Sequence, residues 1–329
     1  MRLLVTGGAG FIGSTFVRRV LCGAEPSLAG AEVVVLDKLT YAGNAENLAP
    51  VATDPALHFV KGDITEALLV ADLMIGVDAV VHFAAESHVD RSILGAAPFV
   101  VTNVVGTHTV LQAALDAGVS TFVHVSTDEV YGSIESGSWP ENHVLEPNSP
   151  YSASKAGSDL LARSYARTHD MDVRITRCSN NYGPYQYPEK VIPLFVTNLL
   201  DGLPVPLYGD GLNVRDWLHV DDHCHGIALV LERGRAGEIY NIGGGTELTN
   251  TELTGLLLEA TGAEWSSVRP VTDRKAHDRR YSVNWTKIRT ELGYHPTVNF
   301  RQGLVETVRW YAEHRDWWQP LKSSTAVPS

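Results

Sequence analysis

The chain is poor in cysteine: its 329 residues hold three, Cys22, Cys178 and Cys224, odd in number, widely spaced and without a C-x-x-C pair. That argues against a disulfide framework and for free thiols in a reducing compartment. Long apolar runs are lacking as well. No stretch approaches transmembrane length, and the N-terminus enters a strand-like run at once, without a basic segment leading into an apolar one. The expectation is a protein neither secreted nor membrane-spanning, located in the cytoplasm. Positive charge is the third shortage, with 26 Lys and Arg against 38 Asp and Glu and a formal charge of −12. Nucleic acid is thereby an unsuitable partner, because its backbone finds nothing to condense onto. A small anion would need only a local cluster of Arg and Lys. No internal repeat and no low-complexity block interrupts the chain.

What is present is alternation. Short β-branched runs at 3–5, 33–36, 58–60, 79–82, 121–125 and 173–176 are separated by amphipathic stretches starting near Phe11, Thr65, Pro98 and Tyr151. This is the pattern of a doubly wound parallel sheet covered on both faces, an α/β fold. Beyond Arg177 the regularity gives way to loops rich in Pro, Gly and Asn, with helices expected near 192–201, 222–233, 251–261 and 300–314. The expected organisation is a nucleotide-binding domain over 1–177, a smaller substrate-binding lobe over 178–322 with the chain free to cross between them, and a flexible tail over 323–329.

The first strand runs into Thr6-Gly7-Gly8-Ala9-Gly10-Phe11-Ile12-Gly13 and then a helix. Glycines spaced G-x-x-G-x-x-G let the backbone turn tightly and a pyrophosphate approach the helix N-terminus. Asp37 ends the second strand, where a carboxylate accepts ribose hydroxyls and repels a 2′-phosphate. Together these predict a Rossmann-type site for NAD rather than NADP. Lys38 complicates the choice, since it could compensate a phosphate. Asp63-Ile64 and Phe83-Ala84-Ala85 fall at carboxyl ends of strands, where open sheets bind ligands.

Tyr151 and Lys155 stand four residues apart, on one helix face. A phenol is a poor base near neutrality unless a cation stabilises the phenolate, which Lys155 and an oxidised nicotinamide would do. At the end of the fifth strand, Ser126-Thr127-Asp128-Glu129 sets two carboxylates side by side, and such a pair can be driven to different protonation states, one acid and one base. Removal of water requires both.

The motifs TGGAGFIG at 6–13, HFAAESHVDRS at 82–92, STDEVYG at 126–132, YSASK at 151–155, RCSNNYGPYQYPEK at 177–190 and DRKAHDRRY at 273–281 resemble the extended short-chain dehydrogenase/reductases, and among them the dTDP-glucose 4,6-dehydratases. The resemblance implies that Thr127 positions the sugar 4-hydroxyl, Asp128 protonates the departing 6-hydroxyl, Glu129 removes the C5 proton, Tyr151 is the base for oxidation at C4, and Lys155 anchors the nicotinamide ribose. It implies cofactor contacts from Gly7, Gly10, Phe11, Ile12, Gly13, Asp37, Lys38, Leu39, Thr40, Asp63, Ile64, Phe83, Ala84, Ala85, Ser87, Thr102 and Asn181. Contacts to a dTDP-glucose substrate are implied for Ser87, Thr127, Asn180, Lys190, Val191, Pro206, Leu207, Tyr208, Arg215, Asn250, Asp273, Arg274 and His277. A homodimer joined through the helices near Pro98 and Tyr151 is implied too.

The rivals are a UDP-glucose 4,6-dehydratase, a nucleotide-sugar 4-epimerase, which would share the cofactor but not lose water, and a silent NAD-sensing protein. Two further segments attract attention. His219-Val220-Asp221-Asp222-His223-Cys224-His225 contains metal-ligand types, yet the chemistry needs no Lewis acid; the segment reads as a helix start with Asp221 or Asp222 at the N-cap, and no metal is expected. Gly243-Gly244-Gly245 imitates a phosphate loop, and a tight turn into a Thr-capped helix explains it equally well.

Overall fold

Runs such as Leu3-Leu4-Val5 and Val33-Val34-Val35-Leu36 are apolar on both faces, so each residue needs cover whichever way it points. The computed structural model, which describes residues 1–275 and 277–323, supplies that cover. β1 (Arg2–Thr6), β2 (Glu32–Asp37), β3 (Leu57–Lys61), β4 (Ala79–His82), β5 (Thr121–Thr127) and β6 (Val173–Cys178) are the strands read from the sequence, and all join one parallel sheet. Leu3, Val5, Val33 and Val35 pack on one face; Leu4, Val34 and Leu36 pack on the other.

The remaining strands are β7 (Asn180–Tyr182), β8 (Val205–Tyr208), β9 (Val214–His219), β10 (Ile239–Ile242), β11 (Glu247–Thr249) and β12 (Val268–Val271). β10 returns to the large sheet beside β6, completing the order β10-β6-β5-β4-β1-β2-β3. The order reverses between β1 and β4, and the crevice at that reversal is where open sheets bind ligands. A three-stranded sheet, β11-β9-β7, and a parallel pair, β12-β8, complete the strands of the second half.

Helices α1 (Phe11–Leu21), α2 (Ala67–Leu73), α3 (Val89–Leu94), α4 (Ala97–Val100), α5 (Thr107–Asp116) and α6 (Pro150–His169) lie in the first half. α2 starts two residues later than Thr65, because the Asp63 carboxylate accepts the Thr65 N–H and holds a turn there. α4 passes through a π turn at Val101–Gly106 into α5. In the second half lie α7 (Val191–Leu200), α8 (Val220–Arg233), α9 (Asn250–Thr261), α10 (Thr286–Leu292), α11 (Phe300–Glu313) and α12 (Arg315–Ser323). Of the expected tail, residues 324–329 lie outside the described residues. α8 and α10 pack with α1 against the large sheet, so this half crosses back over the first.

One cap differs from expectation. His219, not Asp221 or Asp222, caps α8, its Nδ1 accepting the Asp221 N–H at 3.2 Å. Asp222 instead accepts the Thr297 and Val298 N–H groups and the Thr297 hydroxyl, tying α8 to the approach to α11. The Gly243–Gly245 segment is a turn held on Asp216, whose carboxylate accepts the Gly244 and Thr246 N–H groups. Thr249 then caps α9 in a capping box with Glu252.

Candidate active site

A cleft of about 340 Å³ opens at the carboxyl ends of the parallel strands. Its floor is the glycine turn. Gly7 has φ 71°, and a Cβ on Gly13 would come 2.3 Å from the Gly7 carbonyl oxygen, so the turn tolerates no side chain there. Gly10 is the N-cap of α1, and no side chain caps that end. Gly10, Phe11 and Ile12 at that end border the cleft. A helix N-terminus left open in this way suits a diphosphate.

The buried Asp37 carboxylate accepts the Ala9 N–H at 2.9 Å and the Leu39 N–H at 2.8 Å. Burial pushes its pKa up, and these amides draw it back. Lys38 is committed to Asp63 at 2.6 Å. Although burial works the other way, that bond and those from Thr65 hold Asp63 below the usual carboxylate range. Gly43 completes the ribose side: a Cβ there would stand 2.6 Å from Asp37 Oδ1.

Across the cleft, Thr127 caps the short turn Asp128–Tyr131, accepting the Glu129 N–H and donating to Asp128 Oδ1, both at 3.2 Å. Burial pushes Asp128 well up, and the neighbouring charges of Glu129 and Asp216 push it further. Burial raises Glu129 too, but Arg274, Lys190 and Arg215 draw it back. Both carboxylates are therefore raised, Asp128 the more strongly, and the cations that answer Glu129 set the two environments apart. Among the described residues, Asp128 Oδ2 and Asn180 Oδ1 are buried without a hydrogen-bond partner. Both residues border the cleft.

α6 supplies the other pair. Tyr151 is buried edge-on to Phe99. Burial, then Glu129, hold its phenol above the ordinary range, with the Thr127 hydroxyl opposing. Lys155 Nζ donates to the Val125 carbonyl at 2.9 Å. Burial pushes its pKa down to about 8, while Asp159 one turn along works against that shift. Asp159 also accepts from Arg177 Nε at 2.8 Å, and Arg177 Nη1 donates to the Tyr131 hydroxyl at 2.7 Å. This buried chain joins α6 to the turn that carries Asp128 and Glu129.

The implied cofactor positions all border the cleft except Leu39. Ser87, Thr127, Asn180, Lys190 and Val191 border it too. Pro206, Leu207 and Tyr208 on β8, Arg215 on β9, Asn250 at the start of α9, and Asp273, Arg274 and His277 after β12 do not. Tyr208 meets His277 edge-on, Arg274 stands 3.5 Å from Asp90, and Arg215 lies over the Tyr281 ring while donating to the Asp278 carbonyl.

A family model described as GDP-mannose 4,6 dehydratase matches residues 4–307. The chain belongs to this family. A dTDP-glucose 4,6-dehydratase of Streptomyces antibioticus is 63% identical over 330 residues, covering 100% of this chain and 98% of the relative. The solved structure of DesIV, a dTDP-glucose 4,6-dehydratase from Streptomyces venezuelae with NAD bound, is 70% identical, with a TM-score of 0.97 over 98% of this chain and 100% of that one. A UDP-glucose 4-epimerase structure from Thermotoga maritima is 32% identical, with a TM-score of 0.86 over 95% of this chain and 99% of that one.

Membership of the dehydratase family gives the dyad its context, but several residues bordering the cleft escape motif reading. Glu189 and Gln186 stand inside the 177–190 motif, where a carboxylate and an amide beside Lys190 were the available signal. Trp217 borders the cleft from β9 and carries no signal in its surroundings. The histidines of the 219–225 segment serve structure: His223 Nδ1 meets Asn181 Oδ1 at 2.9 Å, and burial pushes its pKa down to about 3. His225 meets Glu25 at 3.0 Å, and Cys224 donates to the Ile12 carbonyl.

Proposed function

We propose that this chain catalyses the NAD-dependent conversion of dTDP-glucose to dTDP-4-keto-6-deoxyglucose. The observation that carries the reading is the Asp128–Glu129 pair, unequal in its charged surroundings and placed in the same cleft as Tyr151 and Lys155. The named similarity to dTDP-glucose 4,6-dehydratases and the NAD of the DesIV structure support it. The uncapped α1 terminus and the Asp37 carboxylate fit an NAD pyrophosphate and ribose. When bound, NAD would supply the hydride chemistry, removal from C4 of the sugar and return to C6, together with a positive charge that favours a phenolate.

The chain's own residues do the rest. Tyr151 takes the C4 hydroxyl proton while Thr127 holds that hydroxyl, and Lys155 favours the phenolate. The resulting C4 ketone acidifies the C5 proton, which Glu129 removes. Asp128 protonates the departing C6 hydroxyl, so water leaves across C5 and C6, and C5 regains a proton by way of Glu129 as hydride returns to C6. Lys190, Arg215 and Arg274 provide the local positive cluster that an overall charge of −12 otherwise denies a diphosphate.

The catalytic groups, and all the cofactor contacts but Asn181, come from the 1–177 domain. The 178–322 lobe takes the substrate, with α8, β10 and α10 crossing back. No helix among the described residues is long and apolar enough to cross a membrane, and the three free cysteines agree with the cytoplasm as the working compartment. Half-exposed Val100, Val101, Val105 and Leu160 on the α4–α5 and α6 surfaces support a homodimer joined there. The test is to incubate the protein with dTDP-glucose and weigh the product. Loss of one water is expected; an unchanged mass with inverted C4 would replace this reading with epimerisation, and UDP-glucose as a competing substrate tests the base.

A further inference from the structure

The proposed reaction makes a demand that its acid and base groups do not meet. Hydride taken from C4 is needed at C6 only after water has left, so the dinucleotide carrying it must stay in the cleft through the elimination. Three loops border that cleft, at 38–44 after β2, 83–88 after β4 and 183–190 after β7. They are joined by side chains that take no part in the acid–base steps.

Arg91, on α3 just beyond the second loop, donates from Nε and Nη2 to Glu189 Oε2 at 3.1 and 3.0 Å. Its guanidinium carbon stands 4.0 Å from the centre of the Tyr41 ring, and Tyr41 in turn meets Tyr187 edge-on at 5.9 Å. A second tie runs from Lys190 Nζ to the Ser87 carbonyl at 2.8 Å. The Glu189 side chain is 10% exposed and that of Arg91 41%. His88 also approaches Glu189, at 3.9 Å, but burial and then the charges of Lys190 and Arg91 push its pKa down to about 3. Near neutrality Arg91 and Lys190 are therefore the cations that answer Glu189, and only Arg91 also reaches the Tyr41 loop.

We propose that Arg91 and Glu189 form a latch across the three loops, retaining the dinucleotide between removal of hydride from C4 and its return to C6. The inference rests on the dehydratase reading. A part-exposed ion pair adds little to fold stability. Loop closure is different, because a modest energy spent there acts directly on the residence time of whatever lies beneath.

The experiment is an isotope crossover on the holoenzyme. Equal amounts of dTDP-glucose deuterated at C4 and dTDP-glucose carrying heavy carbon throughout the hexose are turned over together, and the product masses are read. The unmodified protein is expected to keep deuterium within the light-carbon sugar. Arg91→Met preserves the aliphatic stem over Tyr41 but has no donors, and it is expected to pass deuterium into the heavy-carbon product. Release of the reduced dinucleotide, followed by its fluorescence, should quicken roughly five- to tenfold. Glu189→Gln should behave alike, and Arg91→Lys, which keeps one charged donor, should restore much of the retention. Complete retention of deuterium by both Arg91→Met and Glu189→Gln overturns the latch. Failure of the unmodified protein to remove water from either sugar strikes the functional reading instead.

Discussion

Asp128 and Glu129 share a turn but not an environment. Asp128 is pressed toward protonation by burial, Glu129 and Asp216, whereas Glu129 faces Arg274, Lys190 and Arg215. If Tyr151 runs the oxidation and the dyad runs the elimination, lesions in the two sets stall at different stages. Tyr151→Phe should form little reduced dinucleotide from dTDP-glucose. Glu129→Gln should form it and accumulate it, while overall turnover falls by roughly two to four orders of magnitude, the span of a lost general acid or base. Single-turnover mixing, following dinucleotide absorbance alongside product, distinguishes them, and unchanged turnover by Glu129→Gln dismisses Glu129 as the base. Lys155 adds a pH signature. Its pKa is lowered to about 8, so its ammonium is present below that value and is lost as pH rises through it. The C4 oxidation step should therefore decline above pH about 8, and Lys155→Arg, which stays protonated there, should move that decline to higher pH. A limb that stays in place in Lys155→Arg assigns it to another group.

At the scale of elements, legibility follows from how locally each is determined. β1, β2 and β4 are apolar on both faces, β3, β5 and β6 are rich in β-branched and aromatic residues, and all six carry their signal within four to seven residues. β10 reads Ile-Tyr-Asn-Ile, and only its pairing with β6, more than sixty positions earlier, makes it a strand. β7 and β11, at three residues each, are shorter than any pattern can announce. The site divides on the same line. Gly7, Gly10 and Gly13, the Asp128–Glu129 pair, and Tyr151 with Lys155 are spaced by the geometry of one turn or one helix, so spacing revealed them. Trp217 reaches the cleft because β9 runs beside β7, a relation no local spacing records. His219 took the N-cap for a related reason: three donors from Thr297 and Val298 claim Asp222, and they come from a segment far along the chain.

For the molecule as a whole, the decisive fact is that an anionic chain must hold anionic ligands. A ligand that binds the folded chain and not the unfolded one stabilises it by an amount that grows with its concentration over Kd, about 2.7 kcal/mol at a hundredfold excess. For a protein of this size that amounts to a rise in Tm of roughly several degrees. NAD added to protein freed of dinucleotide should produce such a rise, because the open end of α1 receives the pyrophosphate and Asp37 accepts the ribose hydroxyls. NADP should produce a smaller one. Its 2′-phosphate would face the Asp37 carboxylate, which the Ala9 and Leu39 amides fix in place, and the next residue, Lys38, is held by Asp63 at 2.6 Å. Desolvation strengthens the discrimination, since a buried carboxylate repels an anion with less screening than an exposed one. Asp37→Ala should shrink the shift from NAD and narrow the gap between the dinucleotides; thermal melts of both proteins across a titration of each measure it. Equal shifts with NAD and NADP in the unmodified protein would remove Asp37 as the selector and return Lys38 to the role of phosphate partner.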